Sequence, residues 1–180
     1  MDCIEAIRTR RSVRQFASDP INPKDLETIL EAGNWAPTAG NLQPYYLIVV
    51  KDEAVRLKLQ AAALDQVQIG QAPVVIIVCV DPERSSIYGD NGRNRFCLFD
   101  AANVTENILL AATALGYGSC WMAGFQQRQV KEILNIPDSF NVISMIPIGK
   151  SVGEIELPER RPLAEVVRYE KWEEVFLGNL

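Results

Sequence analysis

Three guanidiniums and a hydroxyl fall within five residues at Arg10-Arg11-Ser12-Val13-Arg14. An arginine presents a planar fork of donors that meets two phosphate oxygens at once, and a serine adds a neutral donor. In a chain of net charge -5 this cluster is a local anion trap, suited to a phosphate monoester. The plain alternative is a solvated basic turn. A second basic pair, Arg160-Arg161, stands near the other end of the chain.

Neutral polar groups gather in Ala36-Pro37-Thr38-Ala39-Gly40-Asn41-Leu42-Gln43-Pro44, a loop bracketed by prolines. Thr38, Asn41 and Gln43 offer donors and acceptors to a flat heterocycle, or else face solvent. The glutamines of residues 65–71, Gln68 among them, point at a ligand or at water, and water is the favoured expectation. In Gly116-Tyr117-Gly118-Ser119-Cys120-Trp121-Met122-Ala123-Gly124-Phe125 the small residues let backbone approach something closely. These glycines do not make G-x-G-x-x-G and follow a helix, so a Rossmann dinucleotide site is not supported.

Composition removes several chemistries. Histidine is absent, which excludes Ser-His and Cys-His nucleophilic catalysis and histidine metal sites. The four cysteines, Cys3, Cys79, Cys97 and Cys120, form no Cys-x-x-Cys pair and are expected to be core thiols. An enzyme of this composition is expected to lean on a cofactor. The net charge and a pI near 4.9 speak against nucleic acid and anionic membrane as partners. No apolar run is long enough for a membrane span and no signal pattern is visible, so a cytoplasmic location is expected.

The elements that must position these groups read as one α+β domain over residues 1–180. Asp2 and Glu5 have capping-box spacing for a helix to about Thr9, which delivers Arg10 and Arg11 at its C-terminus. Pro23 opens a second helix that is expected to stop near Gly33. Strands are expected at residues 45–50, 74–80 and 142–148, the middle one buried on both faces. Helices are expected over residues 52–64, 99–115 and 127–134, the second buried on most sides. Residues 82–95, polar and glycine-containing, read as a mobile loop or lid. The C-terminal segment, with Tyr169, Trp172, Val175 and Phe176, is too apolar to dangle free and is expected to pack on another subunit.

Four of these stretches, the Arg10 to Arg14 cluster, the 36–44 loop, residues 116–125 and Arg160-Arg161-Pro162-Leu163, resemble in order and spacing the nitroreductase family. The resemblance implies a sandwich with a mainly antiparallel sheet flanked by helices. It also implies a domain-swapped homodimer with FMN at the interface, residues 151–180 wrapping the partner. Carried over, Arg10, Arg11 and Ser12 match phosphate and ribityl contacts, and Arg14 matches the cation at the pyrimidine edge, an electrostatic support rather than a catalytic side chain. Arg160, with or without Arg161, matches a late return to the phosphate. Pro37, Thr38, Asn41 and Gln43 resemble the loop laid against the partner's flavin; Met122, Ala123 and Gly124 resemble the segment beside N5; Gln68 is a further ring contact. Tyr45 stands where the family often has Trp, and Ala123 replaces a common glycine. The implied activity is ping-pong reduction of nitroaromatics, quinones or similar small acceptors by NADH or NADPH. The alternatives are a non-catalytic FMN carrier or sensor, and another flavin reaction such as reductive dehalogenation.

Overall fold

A computed structural model describes residues 1–153, 155 and 158–172. Four antiparallel strands in the order β1-β2-β4-β3 form its sheet: β1 is Tyr45–Val50, β2 Val74–Val80, β3 Gly118–Ser119 and β4 Asn141–Gly149. Every residue of β2 is buried, as its continuous β-branched run requires of a central strand covered on both faces. Alternation along β2 divides the interior. Val74, Ile76, Val78 and Val80 face one core, Val75, Ile77 and Cys79 the other.

The first core is closed by α2 (Pro23–Asn34) and α6 (Cys97–Ala114), the second by α3 (Glu53–Ala62), the short α4 (Gln68–Gln71) and α7 (Gln127–Leu134). The result is the expected sandwich of helices on an antiparallel sheet. α2 starts as its sequence dictates, with Asn22 as N-cap accepting from the Lys24 N–H and Pro23 in the first turn. It ends at Asn34, one residue past Gly33, as expected. That glycine is buried inside the helix because a Cβ there would lie 2.8 Å from Ile108 Cγ1, so it lets α2 close against α6.

Residues 82–95 are helical turns rather than a loop. They form a 3-10 helix Pro82–Tyr88, one α turn α5 (Gly89–Asn91) and a π turn Gly92–Phe96 that runs into α6. Gly92 sits against the Ser85 carbonyl where no side chain fits, and Glu83 pairs with Arg93 over 2.8 Å. Two smaller expectations also change. Cys3 is exposed, whereas Cys79, Cys97 and Cys120 are buried, and Gln68 is buried rather than facing water. No described helix is long and apolar enough to cross a membrane. Among the described C-terminal residues Tyr169 and Trp172 are exposed; Val175 and Phe176 lie outside the described residues.

Candidate active site

The arginine cluster is placed by a helix end and a sheet edge. Asp2 accepts the Glu5 N–H over 2.9 Å and starts α1 (Cys3–Thr9); the Arg10 N–H closes its last turn on the Ala6 carbonyl. The chain then extends along β3, with the Val13 N–H donating to the Ser119 carbonyl over 2.9 Å. Gly118 permits this, since a Cβ would come within 2.6 Å of the Val13 side chain. Val13 and Phe16 turn into the protein, and Ser12 and Arg14 are left exposed.

Arg10, Arg11, Ser12 and Arg14 line one cavity of about 680 Å³, and Arg160 joins them from the other end of the chain. The arginines are not equivalent. Arg11 folds back so that its Nη1 donates to the Arg8 and Arg10 carbonyls, both at 2.6 Å, capping the α1 C-terminus. Arg10 has Glu106 of α6 at 3.5 Å. Among the described residues neither Arg14 nor Arg160 has a carboxylate partner. Arg161 turns away, donating to Glu165 over 3.1 Å beside α8 (Leu163–Val166). The cavity wall therefore presents several cationic donors and a hydroxyl to an anion.

Met122, Ala123 and Gly124 follow β3 a few residues further along the chain, Met122 forming an isolated bridge to Met145 of β4. Met122 is buried and exchanges both backbone bonds with Met145. Among the described residues the Ala123 and Gly124 N–H groups have no acceptor. The Gly124 carbonyl receives the side-chain amide of Gln66 over 2.8 Å. Gln66 was legible only as one glutamine of a run, and its neighbour Gln68 is buried at the start of α4.

The residue 37–43 loop does not line the cavity of its own chain. It is a 3-10 turn, Ala39–Asn41, whose Gly40, Asn41 and Gln43 have φ of 57°, 56° and 48°. Thr38 and Gln43 hold each other, the Gln43 N–H donating to Thr38 Oγ1 over 3.1 Å. Gln43 also gives its side-chain amide to Asn41. Three long-range anchors fix the loop: Asp100 accepts the Ala39 N–H, Asn103 donates to the Pro37 carbonyl and Arg84 to the Leu42 carbonyl. Nothing local in the sequence marks these three.

The nitroreductase family pattern matches residues 7–71 and 67–150. The chain belongs to the nitroreductase family. An Archaeoglobus fulgidus protein provisionally named an NADH dehydrogenase/NAD(P)H nitroreductase is 34% identical over 177 residues, covering 95% of this chain and 99% of that one. The NADPH-flavin oxidoreductase of Vibrio harveyi is 27% identical, covering 98% and 77%. Among solved structures, nitroreductase A of Vibrio parahaemolyticus superposes with a TM-score of 0.88 at 27% identity, over 97% of this chain and 79% of its own. The Vibrio harveyi NADPH:FMN oxidoreductase complexed with NAD+ gives 0.88 at 26%, over 96% and 79%. This nitroreductase-family chain thus carries the family's fold along nearly its whole length.

Proposed function

We propose that the chain is an FMN-dependent NAD(P)H oxidoreductase that works as a homodimer and reduces nitroaromatics, quinones or similar flat acceptors by a ping-pong cycle. The observation that carries this reading is the convergence of Arg10, Ser12 and Arg14 with Arg160 on one cavity, from opposite ends of a nitroreductase-family chain. That donor set fits FMN, whose phosphate needs charged forks and whose ring needs close backbone. When bound, the flavin supplies hydride uptake from nicotinamide and electron delivery to the acceptor.

The chain's own residues have divided roles. Arg10, Ser12 and Arg160 bind the phosphate; Arg11 shapes the wall by holding the end of α1. Arg161, paired with Glu165, is left out of the phosphate site. Arg14 is the fixed cation that favours negative charge at the pyrimidine edge. With the Met122 amide committed to Met145, the N–H donor toward N5 falls to Ala123 or Gly124. Pro37, Thr38, Asn41 and Gln43, remote from the cavity of their own chain, cover the partner's flavin. Tyr169 and Trp172, exposed among the described C-terminal residues, pack on that partner. No side-chain acid or base is required, because proximity and orientation do the work.

Anaerobic mixing of the FMN-loaded protein with NADH and with NADPH tests the reading. Bleaching of the flavin band is expected with at least one of them, followed by recovery on adding a quinone. A colourless protein that takes up no FMN removes the cofactor, and a flavin that neither nucleotide bleaches removes the electron donor.

A further inference from the structure

Asp100 is a carboxylate inside the fold, 3% exposed on α6. Its Oδ1 accepts the Ala39 N–H over 2.9 Å, and its Oδ2 is buried with no hydrogen-bond partner among the described residues. A carboxylate taken out of water for one bond is costly. What that bond holds is itself unfavourable. The residue 37–43 loop keeps Asn41 and Gln43 in the left-handed region, which non-glycine residues avoid, and such strain persists only where surroundings over-determine it.

The other anchors are weaker references. Arg84 reaches the Leu42 carbonyl at 3.3 Å from an exposed position, and Thr38 and Gln43 belong to the loop itself. Asp100 and Asn103 lie one turn apart on the same side of α6, the helix whose Val104, Ile108 and Ala112 form the first core. Through them the loop is registered to a helix buried along most of its length. Gly40 fits the same arrangement, since a Cβ there would meet the Tyr88 hydroxyl.

Resting on the proposed function, we infer that Asp100 is the positioning residue that fixes the 37–43 loop in its flavin-covering conformation. It touches neither flavin nor substrate; it acts through the Ala39 amide. The bond is removable from either side. D100A deletes the acceptor, D100N keeps an oxygen acceptor, and A39P deletes the donor at a position whose predecessor Thr38 already has the extended backbone (φ -132, ψ 153) that proline demands.

FMN titration of the full-length apoprotein, with thermal melts and steady-state kinetics alongside, tests this. D100A and A39P are each expected to weaken FMN binding about tenfold and to raise acceptor KM more than they lower kcat, while D100N stays within about twofold of wild type. The A39P/D100A double variant is expected to be no worse than either single one, because both remove the same bond. The inference is overturned by wild-type FMN affinity in A39P or D100A, by D100N as weak as D100A, or by losses that multiply in the double variant. If D100A does not fold, A39P decides alone. Wild-type protein that binds no FMN is a separate result that overturns the functional reading and this inference with it.

Discussion

The Gln66 side-chain amide donates to the Gly124 carbonyl over 2.8 Å, joining two loops 58 residues apart in the chain. It fixes the backbone beside the free Ala123 and Gly124 amides. The bond is exposed, so Gln66→Ala should leave the melting temperature nearly unchanged, a stability effect within about 0.5 kcal/mol. FMN affinity should fall by about 0.5–1.5 kcal/mol, the net worth of one neutral hydrogen bond that orients a donor. Fluorescence titration reads it; equal affinities would detach Gln66 from the site.

One arginine on the cavity wall, one beside it and a neighbouring carboxylate give contrasting expectations. Arg10→Ala should weaken FMN binding by about 1.5–3 kcal/mol, since a charged hydrogen bond to phosphate is lost. Arg161→Ala should leave it unchanged, because that guanidinium is engaged by Glu165. Glu106→Gln, which removes the carboxylate 3.5 Å from Arg10, should tighten binding by about 0.5 kcal/mol at low salt and by less as salt rises. The reverse ranking of Arg10 and Arg161 would relocate the phosphate.

Gly92 tests whether residues 82–96 are a built element. Its Cα faces the Ser85 carbonyl, and Ser85 is fully buried, so an added methyl must displace backbone rather than a side-chain tip. Gly92→Ala should destabilise by about 2–3 kcal/mol through overpacking, which outweighs the roughly 1 kcal/mol that alanine gains in a helix. Urea unfolding measures the loss. Rapid cleavage of the wild type within residues 82–96 by limited proteolysis would contradict the packed description.

Much of this architecture is written in local rules. Asp2 and Glu5, Pro23, Asp52 and the β-branched run of β2 each specify their element from neighbours a few residues away, and α7 has the bounds its pattern predicts. What such rules miss has one cause. Gly33 marks the end of α2 correctly to within a residue, but its packing role is set by Ile108, far along the chain. The polar composition of residues 82–95 hides helical turns whose packing depends on Ser85 meeting Gly92. The cavity arginines could be named in advance because charge and spacing identify them. Asp100, Asn103 and Arg84 could not, because each earns its role by reaching a loop carbonyl or amide distant in sequence. Likewise Cys3 gives no sign that α1 buries only Ala6.

The thiols should divide sharply in reactivity. Burial pushes the Cys79 thiol up to about 11, against a smaller pull from Lys131, and burial also raises Cys97 and Cys120. Since the thiolate is the reactive form, these three should resist alkylation at pH 8 while exposed Cys3 reacts. Intact-mass spectrometry after iodoacetamide should show one adduct on the native protein and four after denaturation. A second rapid native adduct on Cys120, beside the arginine cavity, would mean that the edge strand opens.

Asp100 also gives stability a definite pH slope. Desolvation holds its carboxyl above the ordinary carboxylate range, while the Ala39 N–H pulls the other way with smaller effect; its charge in turn adds to the burial that raises the Cys97 thiol, one turn earlier on α6. A native pKa above the unfolded one means that the native state binds more protons in the window between the two. Stability contributed by this group is therefore fully present below the unfolded pKa and is lost as pH rises through the native one. D100N does not titrate, so its stability relative to wild type should increase as pH rises from the ordinary aspartate range through the native pKa, whatever the offset at the acid end. Urea midpoints of the two proteins measured across that range decide it. Parallel curves, or a gap that closes as pH rises, would mean that the carboxylate is ionised in the native state as readily as in water, and that its Oδ2 has found a partner.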